Sequence, residues 1–489
     1  YVGAAAGGIW KSTDGGDNWT PMGDQNAALG VSDIIVQSVS GDEVIYLATG
    51  DKDASDTYSV GVLKSIDGGV TWQTTDLDWQ QNQYRLVNRL QQDINDPNTL
   101  WAATSVGLFK STDGGDNWDQ LSSLSFKDIE FQPGSNLIMH GSNSSGDVYR
   151  SLDGGQSWGN RVLNTSGERT ELAVTADDPS VVYALISNSS NALYGIYKST
   201  DGGATFSLTY NNLNMLGWNC DGSGSGGQGW YDLCIASDPV DADVVFIGGV
   251  NTWRSQDGGY TWSINTHWSG TCSGTATTTH ADKHALTYQP GTSTLFDCND
   301  GGVYKTTNGG NNWSHLGSGL VTSQAYRIGV AQTVDNDVII GLQDNGTKSM
   351  IYGNWDDVIG GDGMDCMIDW SNELVQYGEL YYGNIKRTTD HWNSYTTISN
   401  GISGNAAWVT PMIQDLNEPN TIYVGYQDVW KSTNRGNSWT KISTWNGSTL
   451  RSLAISKSNS DYIYAATRTT LYRFDGLSWS NITNSLPTG

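Results

Sequence analysis

The stretch Gly8-Ile-Trp-Lys-Ser-Thr-Asp-Gly-Gly-Asp-Asn-Trp19 decides the fold, because close copies of it return along most of the 489-residue chain. Ile9 and Lys11 alternate with Trp10 and Ser12 at the two-residue period of an extended strand, and Asp14-Gly-Gly16 ends that strand in a tight turn. Trp19 opens a second strand, so the unit reads as a hairpin. Its pattern, Ser/Thr-x-Asp-x-Gly-x-x-Trp, has a mechanical reading. The Asp carboxylate accepts backbone N–H groups inside the turn, the second glycine adopts positive φ, and the aromatic ring packs over the corner.

Further copies start at Ser65, Ser111, Ser151, Ser199 (with Phe206 in place of Trp) and Ser255, which sets the clip carboxylates at Asp14, Asp67, Asp113, Asp153, Asp201 and Asp257. Asn replaces Asp in Thr306-x-Asn308 and Ser432-x-Asn434, Thr388-Thr-Asp390 lacks the glycines, and Arg473-Phe-Asp475-Gly476 keeps a trace. Starts recur about every 40–56 residues, except that the gap from Thr306 to Thr388 is about twice as long. One unit there has lost its motif, with Val338-Ile-Ile-Gly341 as its second strand and Trp355-Asp-Asp-Val358 as its outer one.

Short strands repeating at this period are the signature of propeller blades. The predicted fold is an all-β propeller of four-stranded blades. Inner strands start near Val31, Arg85, Phe126, Arg169, Tyr231, His280, Ala325, Met364, Trp408 and Leu450, and residues 1–22 supply a leading unit without its inner strand. Ten to eleven units exceed the usual four to eight of one ring. Either residues 1–320 form a first ring of about seven blades and 321–489 begin a second, or all units join one ten-bladed ring. The opening Tyr1-Val-Gly-Ala-Ala-Ala reads as a strand already inside a blade, as in a processed or trimmed piece. A strand completing the leading unit would begin near 485–489, where the sequence stops.

Sixty Gly against nine Pro, with 21 Trp and 24 Tyr but seven Phe, describes a turn-dense protein whose aromatics carry polar tips. The formal charge of −26 repels a phosphate backbone and argues against nucleic acid as a partner. No apolar run approaches the roughly 18 residues of a membrane-spanning helix, and no signal peptide is read. Five cysteines are too few for a disulfide scaffold, although Cys220 and Cys272 sit in insertions of adjacent blades where one bridge is conceivable.

Chemistry is expected on the face carrying the second-to-third and fourth-to-first connections. Asp51, Asp53 and Asp56 offer oxygen ligands for calcium, or line a solvated loop. Trp218, Trp230 and Tyr231 flank a glycine stretch as a sugar-stacking lid, or pin a long loop to the ring. In His280-Ala-Asp282-Lys-His284, strand alternation places His280, Asp282 and His284 on one face and Lys283 on the other. Those three suit a transition metal or an acid–base site, or else tie the inner strand to its neighbours. His267 stands in the preceding loop as a further imidazole. The acidic loops with Asp300, Asp344, Asp362 and Asp365 come from consecutive units and offer paired carboxylates for glycoside hydrolysis; Asp-Gly and Asn-Gly also serve as ordinary hairpin residues.

The box resembles the Asp-box (BNR) repeat of sialidases, sortilin-type receptors, xyloglucan-cleaving hydrolases and plastid photosystem assembly factors. Together with Gly229-Trp-Tyr-Asp-Leu233, His-x-Asp-x-His, Gln343-Asp-Asn-Gly346 and Gly360-Gly-Asp-Gly363, it makes the whole chain similar to the secreted Asp-box propellers of Bacteroidetes. That resemblance implies a secreted or cell-surface location and export by the type IX route, for which no sorting domain is read. It is nearly silent about activity, since these families share the box and not the chemistry. A sialidase needs an arginine triad and an Arg-Ile-Pro start; Tyr326-Arg-Ile-Gly329 is displaced and lacks the proline.

Two functional readings stand at this level. One is a carbohydrate-directed propeller that binds or hydrolyses a neutral or cationic polysaccharide, with Asp282, Asp300, Asp344, Asp362 and Asp365 as candidate acids. Trp218, Trp230, Tyr231, His280 and His284 are its candidate binding residues. The other is a non-catalytic extracellular scaffold or adhesion protein that assembles with itself or with other proteins. Convergent carboxylates in a concave site favour the first, dispersed acids and a broad contact surface the second.

Overall fold

A computed structural model describes residues 1–39, 42–270, 272, 276–445 and 447–484. Residues 485–489, where a completing strand was expected, lie outside them. The described residues form eleven sheets. Nine are four-stranded antiparallel meanders, the first has only Val2–Ala4, Gly8–Lys11 and Thr20–Pro21, and the sheet at 234–278 gains a fifth strand, Thr277–Thr278, parallel to Ser263–His267. The protein is therefore an all-β propeller. The motif-less unit is present as four strands running from Ala325–Val330 to Asn354–Ile359.

The chain divides into two compact units, Tyr1–Thr322 and Ser323–Gly489. Seven sheets belong to the first, at 2–21, 31–78, 87–122, 128–164, 170–210, 234–278 and 283–315. Apolar side chains fill the spaces between successive sheets, as Tyr46, Val62, Leu100 and Trp118 do between the second and third. The first sheet returns to the seventh: the Trp19 indole donates to the Leu316 carbonyl at 2.7 Å. Trp72 makes the same bond back to Met22, also at 2.7 Å. The seven sheets thus close on themselves through side-chain packing. The second unit stacks four sheets, at 325–359, 363–397, 412–441 and 452–481.

The recurring corner explains this regularity. In the first copy, Ser12 Oγ donates to Asp14 Oδ1 at 2.8 Å and accepts the Gly16 N–H at 2.8 Å, while Asp14 Oδ1 accepts the Asn18 N–H at 3.0 Å. Hydrogen bonds from Asn18 and Asn117 hold Asp14 and Asp113 down to about 2. The second glycine is required twice over. Gly115 has φ +83°, and a Cβ there would lie 2.8 Å from the Tyr46 ring of the preceding sheet; at Gly203 it would lie 2.1 Å from His140. The first glycine accepts from the same neighbours, Tyr46 Oη to Gly114 O at 2.8 Å, Trp101 Nε1 to Gly154 O at 2.8 Å and His140 Nε2 to Gly202 O at 3.0 Å.

Box aromatics have two uses, of which the sequence suggests one. Trp118, Trp158 and Trp262 donate to their own corners at Gly115, Gly155 and Gly259. Trp19, Trp72 and Trp439 reach instead to a carbonyl of the preceding sheet.

The two Asn variants repeat the carboxylate's geometry: Ser438 N–H reaches Asn434 Oδ1 at 2.9 Å, and Asn312 N–H reaches Asn308 Oδ1 at 3.0 Å. Asp113→Asn is accordingly expected to leave stability nearly unchanged. Ser111 is buried, and Ser111→Ala strands the Gly115 N–H, at a cost of roughly 1–3 kcal/mol in denaturant unfolding. Equal losses for the two substitutions would show that the carboxylate's charge, and not its geometry, carries the corner.

Candidate functional site

The connection between Asp42–Thr49 and Gly61–Ser65 is folded by Asp51, whose carboxylate accepts the N–H groups of Asp53, Ala54 and Asp56 at 2.9–3.3 Å. This turn presents Asp53 to two cations: Arg169 Nη2 lies at 2.7 Å and His284 Nδ1 at 2.8 Å. Arg169 also bonds Glu171 Oε1 at 2.9 Å and the carbonyls of Trp230, Tyr231 and Leu233. Lys127 Nζ reaches the Lys52 carbonyl at 2.6 Å. Side chains from well-separated sheets of the first unit therefore converge on one loop. Burial alone would raise the Asp53 acid, yet Arg169 and His284 outweigh it and hold the group well below the carboxylate range. The calcium reading of Asp51, Asp53 and Asp56 is corrected accordingly. Asp51 spends its oxygens on backbone N–H groups and Asp53 on a guanidinium and an imidazole, so neither is left to gather round a cation.

His280, Asp282 and His284 do not share a strand face either. The inner strand begins at Lys283, and Asp282 has φ +60°, a left-handed conformation that breaks the alternation on which the prediction rested. Lys283 turns inward, fully buried, 3.2 Å from Asp297 Oδ2 and 2.8 Å from Thr279 Oγ1. His280 packs against Gly301, where a Cβ would lie 2.3 Å from its ring. Both His284 nitrogens are engaged, Nδ1 with Asp53 and Nε2 with Asp300 Oδ1 at 3.0 Å. The transition-metal reading of the three fails for that reason.

The same residues do assemble a different site. Asp300 Oδ2 accepts the Tyr231 hydroxyl at 2.8 Å, Tyr231 sits edge-on to His284 with centroids 4.6 Å apart, and Trp230, 52% exposed, tilts against Tyr231 at 5.3 Å. One oxygen of Asp282 lies within 4.8 Å of one of Asp300. Gln228 Nε2 donates to Asp282 Oδ1 at 2.9 Å and faces Asp232 Oδ2 at 3.4 Å. Burial, followed by the charge of Asp300, raises the Asp282 acid; burial and then Asp282 push Asp232 well above the usual range. His284 moves the other way from a buried base. Burial lowers it, but Asp300 and Asp53 together raise it well above the ordinary imidazole value. Of these two neighbouring acids Asp232 is raised the more strongly, and its hydrogen bond to Asp282, with His284, draws Asp282 back down, while the Asp300 carboxylate is held by His284 and the Tyr231 phenol.

Trp218 belongs to a neighbouring group. Its carbonyl accepts the Trp268 indole at 3.0 Å, Asn251 Nδ2 bonds Gly217 O at 3.0 Å, and a disulfide joins Cys220 to Cys272. His267 Nδ1 bonds the Ser269 carbonyl at 2.5 Å. Trp218 and Trp268 are nearly half-exposed at this stapled pair of loops.

The remaining candidate acids lie in the second unit. Asp362 Oδ1 accepts Gln343 Nε2 and the Asp344 N–H, each at 2.8 Å, and Asp344 takes φ +54°. Asp365 has another job: Oδ1 accepts the Cys366 N–H and Oδ2 the Met412 N–H of the next sheet, both at 2.9 Å. Asp33 makes the same pair of bonds in the first unit, to Ile34 and Leu90. Asp365 is a sheet-to-sheet clip, and its assignment as a catalytic acid is corrected on that ground. Burial pushes it up to about 6, and Glu379 beneath it up to about 8.

Arg169, Glu171, Asp232 and Gln228 were missed as site residues, Arg169 being read only as the start of a strand. The available signal was charge placement. An arginine and a glutamate two positions apart at the head of an inner strand share one face, and in a closed ring that face looks inward.

Comparison with solved structures finds the GH74 xyloglucanase from Xanthomonas campestris at a TM-score of 0.55 and 14% identity, covering 97% of this chain and 83% of that one. An ancestral GH74 enzyme matches at a TM-score of 0.52 and 16% identity, covering 92% of this chain and 76% of that one. Identities this low establish a shared propeller fold and nothing finer. No protein-family model and no curated protein sequence matches the chain.

Replacing Arg169 by Met removes the partner of two buried carboxylates, and unfolding in denaturant should show a loss of about 3–5 kcal/mol. A loss below 1 kcal/mol would mean that the loop is not held by this pair. His284 sets a pH signature. Its folded pKa lies above the unfolded value of about 6.5, so its contribution is complete below that pH and is lost as pH rises through the folded value. Wild type should therefore lose stability relative to His284→Gln as pH rises from about 6.5. A constant difference between the two would remove the charged imidazole from the site.

Proposed function

We propose that the protein is a secreted or cell-surface propeller that binds a neutral polysaccharide on the loop face of its first unit and hydrolyses it there. The observation that carries this reading is the Asp282–Asp300 pair beside the exposed Trp230. Asp282, raised by burial and by the charge of Asp300, is the acid in this reading and donates its proton to the glycosidic oxygen. Asp300, fixed by His284 and Tyr231, faces the positive charge that develops on the sugar ring; the C–O bond to the leaving sugar breaks, water adds at the anomeric carbon, and its proton returns to Asp282. Trp230 and Tyr231 supply a stacking surface, and the net charge of −26 disfavours anionic glycans.

Further support comes from the fold shared with a xyloglucanase, which makes a β-glucan chain the first substrate to try. The disulfide suits an oxidising, extracellular setting. Among the described residues no helix is long and apolar enough to cross a membrane. Asp344 and Asp362 are second-unit acids to be tested beside the main pair. A non-catalytic scaffold that contacts other proteins or copies of itself is favoured by one observation: Asp53 and Asp300 are already paired with protein cations.

The test is reducing-end release from xyloglucan and a panel of neutral polysaccharides. Asp282→Asn should cut the rate by about 100-fold or more, and wild-type activity should fall as pH rises through the raised Asp282 value. Trp230→Ala should chiefly raise KM. Cleavage untouched by Asp282→Asn would reject the site, and binding without cleavage across the panel would favour the scaffold.

A further inference from the structure

The second unit carries an aromatic group that none of the acids above accounts for. Strands Gln376–Leu380 and Asn384–Thr388 are joined by Tyr381-Tyr382-Gly383, on the side of the sheet where second-to-third connections lie. Tyr381 stacks flat on Trp408, with centroids 5.2 Å apart and planes 1° from parallel; Tyr382 meets Trp408 edge-on at 5.2 Å. Tyr382 is 60% exposed and Tyr381 38%. A local hairpin does not need two tyrosines here. Tyr382 has φ +58°, a conformation that costs a bulky residue energy and that glycine would adopt freely.

The group is braced from below. Glu379, fully buried, accepts the Gly383 N–H at 2.7 Å and the Thr410 N–H at 2.9 Å, so one carboxyl group pins both loops that carry the rings. Tyr382 N–H bonds the Trp408 carbonyl at 3.2 Å, and Tyr426 Oη bonds Gly383 O at 2.5 Å. Polar groups run from its edge. The Trp408 indole donates to Tyr326 Oη at 3.0 Å, that hydroxyl donates to Gln343 Oε1, and Gln343 Nε2 donates to Asp362 Oδ1 at 2.8 Å. Asp362 follows Gly361, at which a Cβ would lie 3.8 Å from the Tyr381 ring.

We propose that Tyr381, Tyr382 and Trp408 form a preorganised platform on which a pyranose ring of a neutral glycan stacks, its hydroxyls bonding the adjacent Gln343 and Asp362. Aromatic faces take the C–H face of a sugar, while a carboxylate and an amide at the rim take its equatorial hydroxyls. The carboxylate disfavours uronic acids and sialic acid. The platform uses none of the residues assigned to hydrolysis in the first unit, and shares with that reading only the class of ligand.

Binding of cellohexaose, mannohexaose and hexagalacturonate is measured by calorimetry on the full chain carrying Asp282→Asn, so that no turnover interferes. The neutral hexaoses should bind and the galacturonate should not. Tyr382→Gly removes the ring and relieves the positive φ, so the unfolding midpoint should hold or rise while affinity falls about tenfold or more. Tyr382→Phe should stay within about threefold of the parent. If Tyr382→Gly leaves affinity unchanged while Trp230→Ala abolishes it, the platform is overturned and the first-unit site stands. If Tyr382→Gly abolishes binding and the wild-type chain cleaves nothing, the platform stands and the hydrolytic reading falls. Failure of both neutral hexaoses to bind overturns the platform.

Discussion

Everything in this molecule hangs on a corner with room for no Cβ. In the first unit the second glycine of the box turns the chain at positive φ and also yields its side-chain space to a side chain of the neighbouring sheet: the Tyr46 ring at Gly115, the His140 ring at Gly203, Met22 at Gly69, Leu108 at Gly155 and Asn265 at Gly310. A corner that merely turned would leave each hairpin independent. Because a neighbour's side chain occupies it, and at the Gly115 and Gly203 corners also bonds the adjacent carbonyl, the corner also fixes the spacing to the neighbouring sheet. Repeated seven times in the first unit, that spacing brings the last sheet back to Trp19. Ring closure follows from a local rule applied many times.

Closure has an electrostatic consequence. The heads of inner strands and the loops above them are forced together, and the polar side chains they carry lose water. Such groups persist only when paired. Arg169 meets this condition with two carboxylates and three carbonyls, and the loop bearing Asp53 is drawn inward to serve it. His284 then stands between Asp53 and Asp300 and pairs with both, and Asp282 beside them is raised by burial and by the charge of Asp300. The unequal pair is a product of crowding at the middle of the ring.

The fold was legible because its signal is local. Asp14-Gly-Gly16 states its turn chemistry within three residues, and its recurrence counts the sheets, including the unit between Thr306 and Thr388 that lost the motif. The site was half legible. Trp230, Tyr231, Asp282, His284 and Asp300 were singled out and do come together. Their arrangement was misread, because period-two alternation was assumed through Asp282, where a single left-handed residue ends it. Asp53 was read from its acidic neighbours, and its partners stand 116 and 231 positions away, beyond the reach of any spacing argument. Tyr381 and Tyr382 gave no signal, since two tyrosines before a glycine look like an ordinary hairpin until the backbone shows the second one held at positive φ.

Aspartate does three kinds of work here, and its lone pairs tell them apart. In the box, Asp14 and Asp113 accept from residues four positions on and sit at the surface as anions. At sheet junctions, Asp33 and Asp365 each accept the next residue's N–H with one oxygen and an N–H of the neighbouring sheet with the other. Asp282 differs from both kinds. Burial and the charge of Asp300 oppose its ionisation, while Asp232, His284 and His280 favour it, and the acid is raised on balance. A carboxyl group bonded by side chains and a second acid, and not by the backbone N–H groups that serve the other two kinds, is not explained as a turn or a sheet clip. Among these acids, that contrast is the strongest physical argument for giving Asp282 a chemical role.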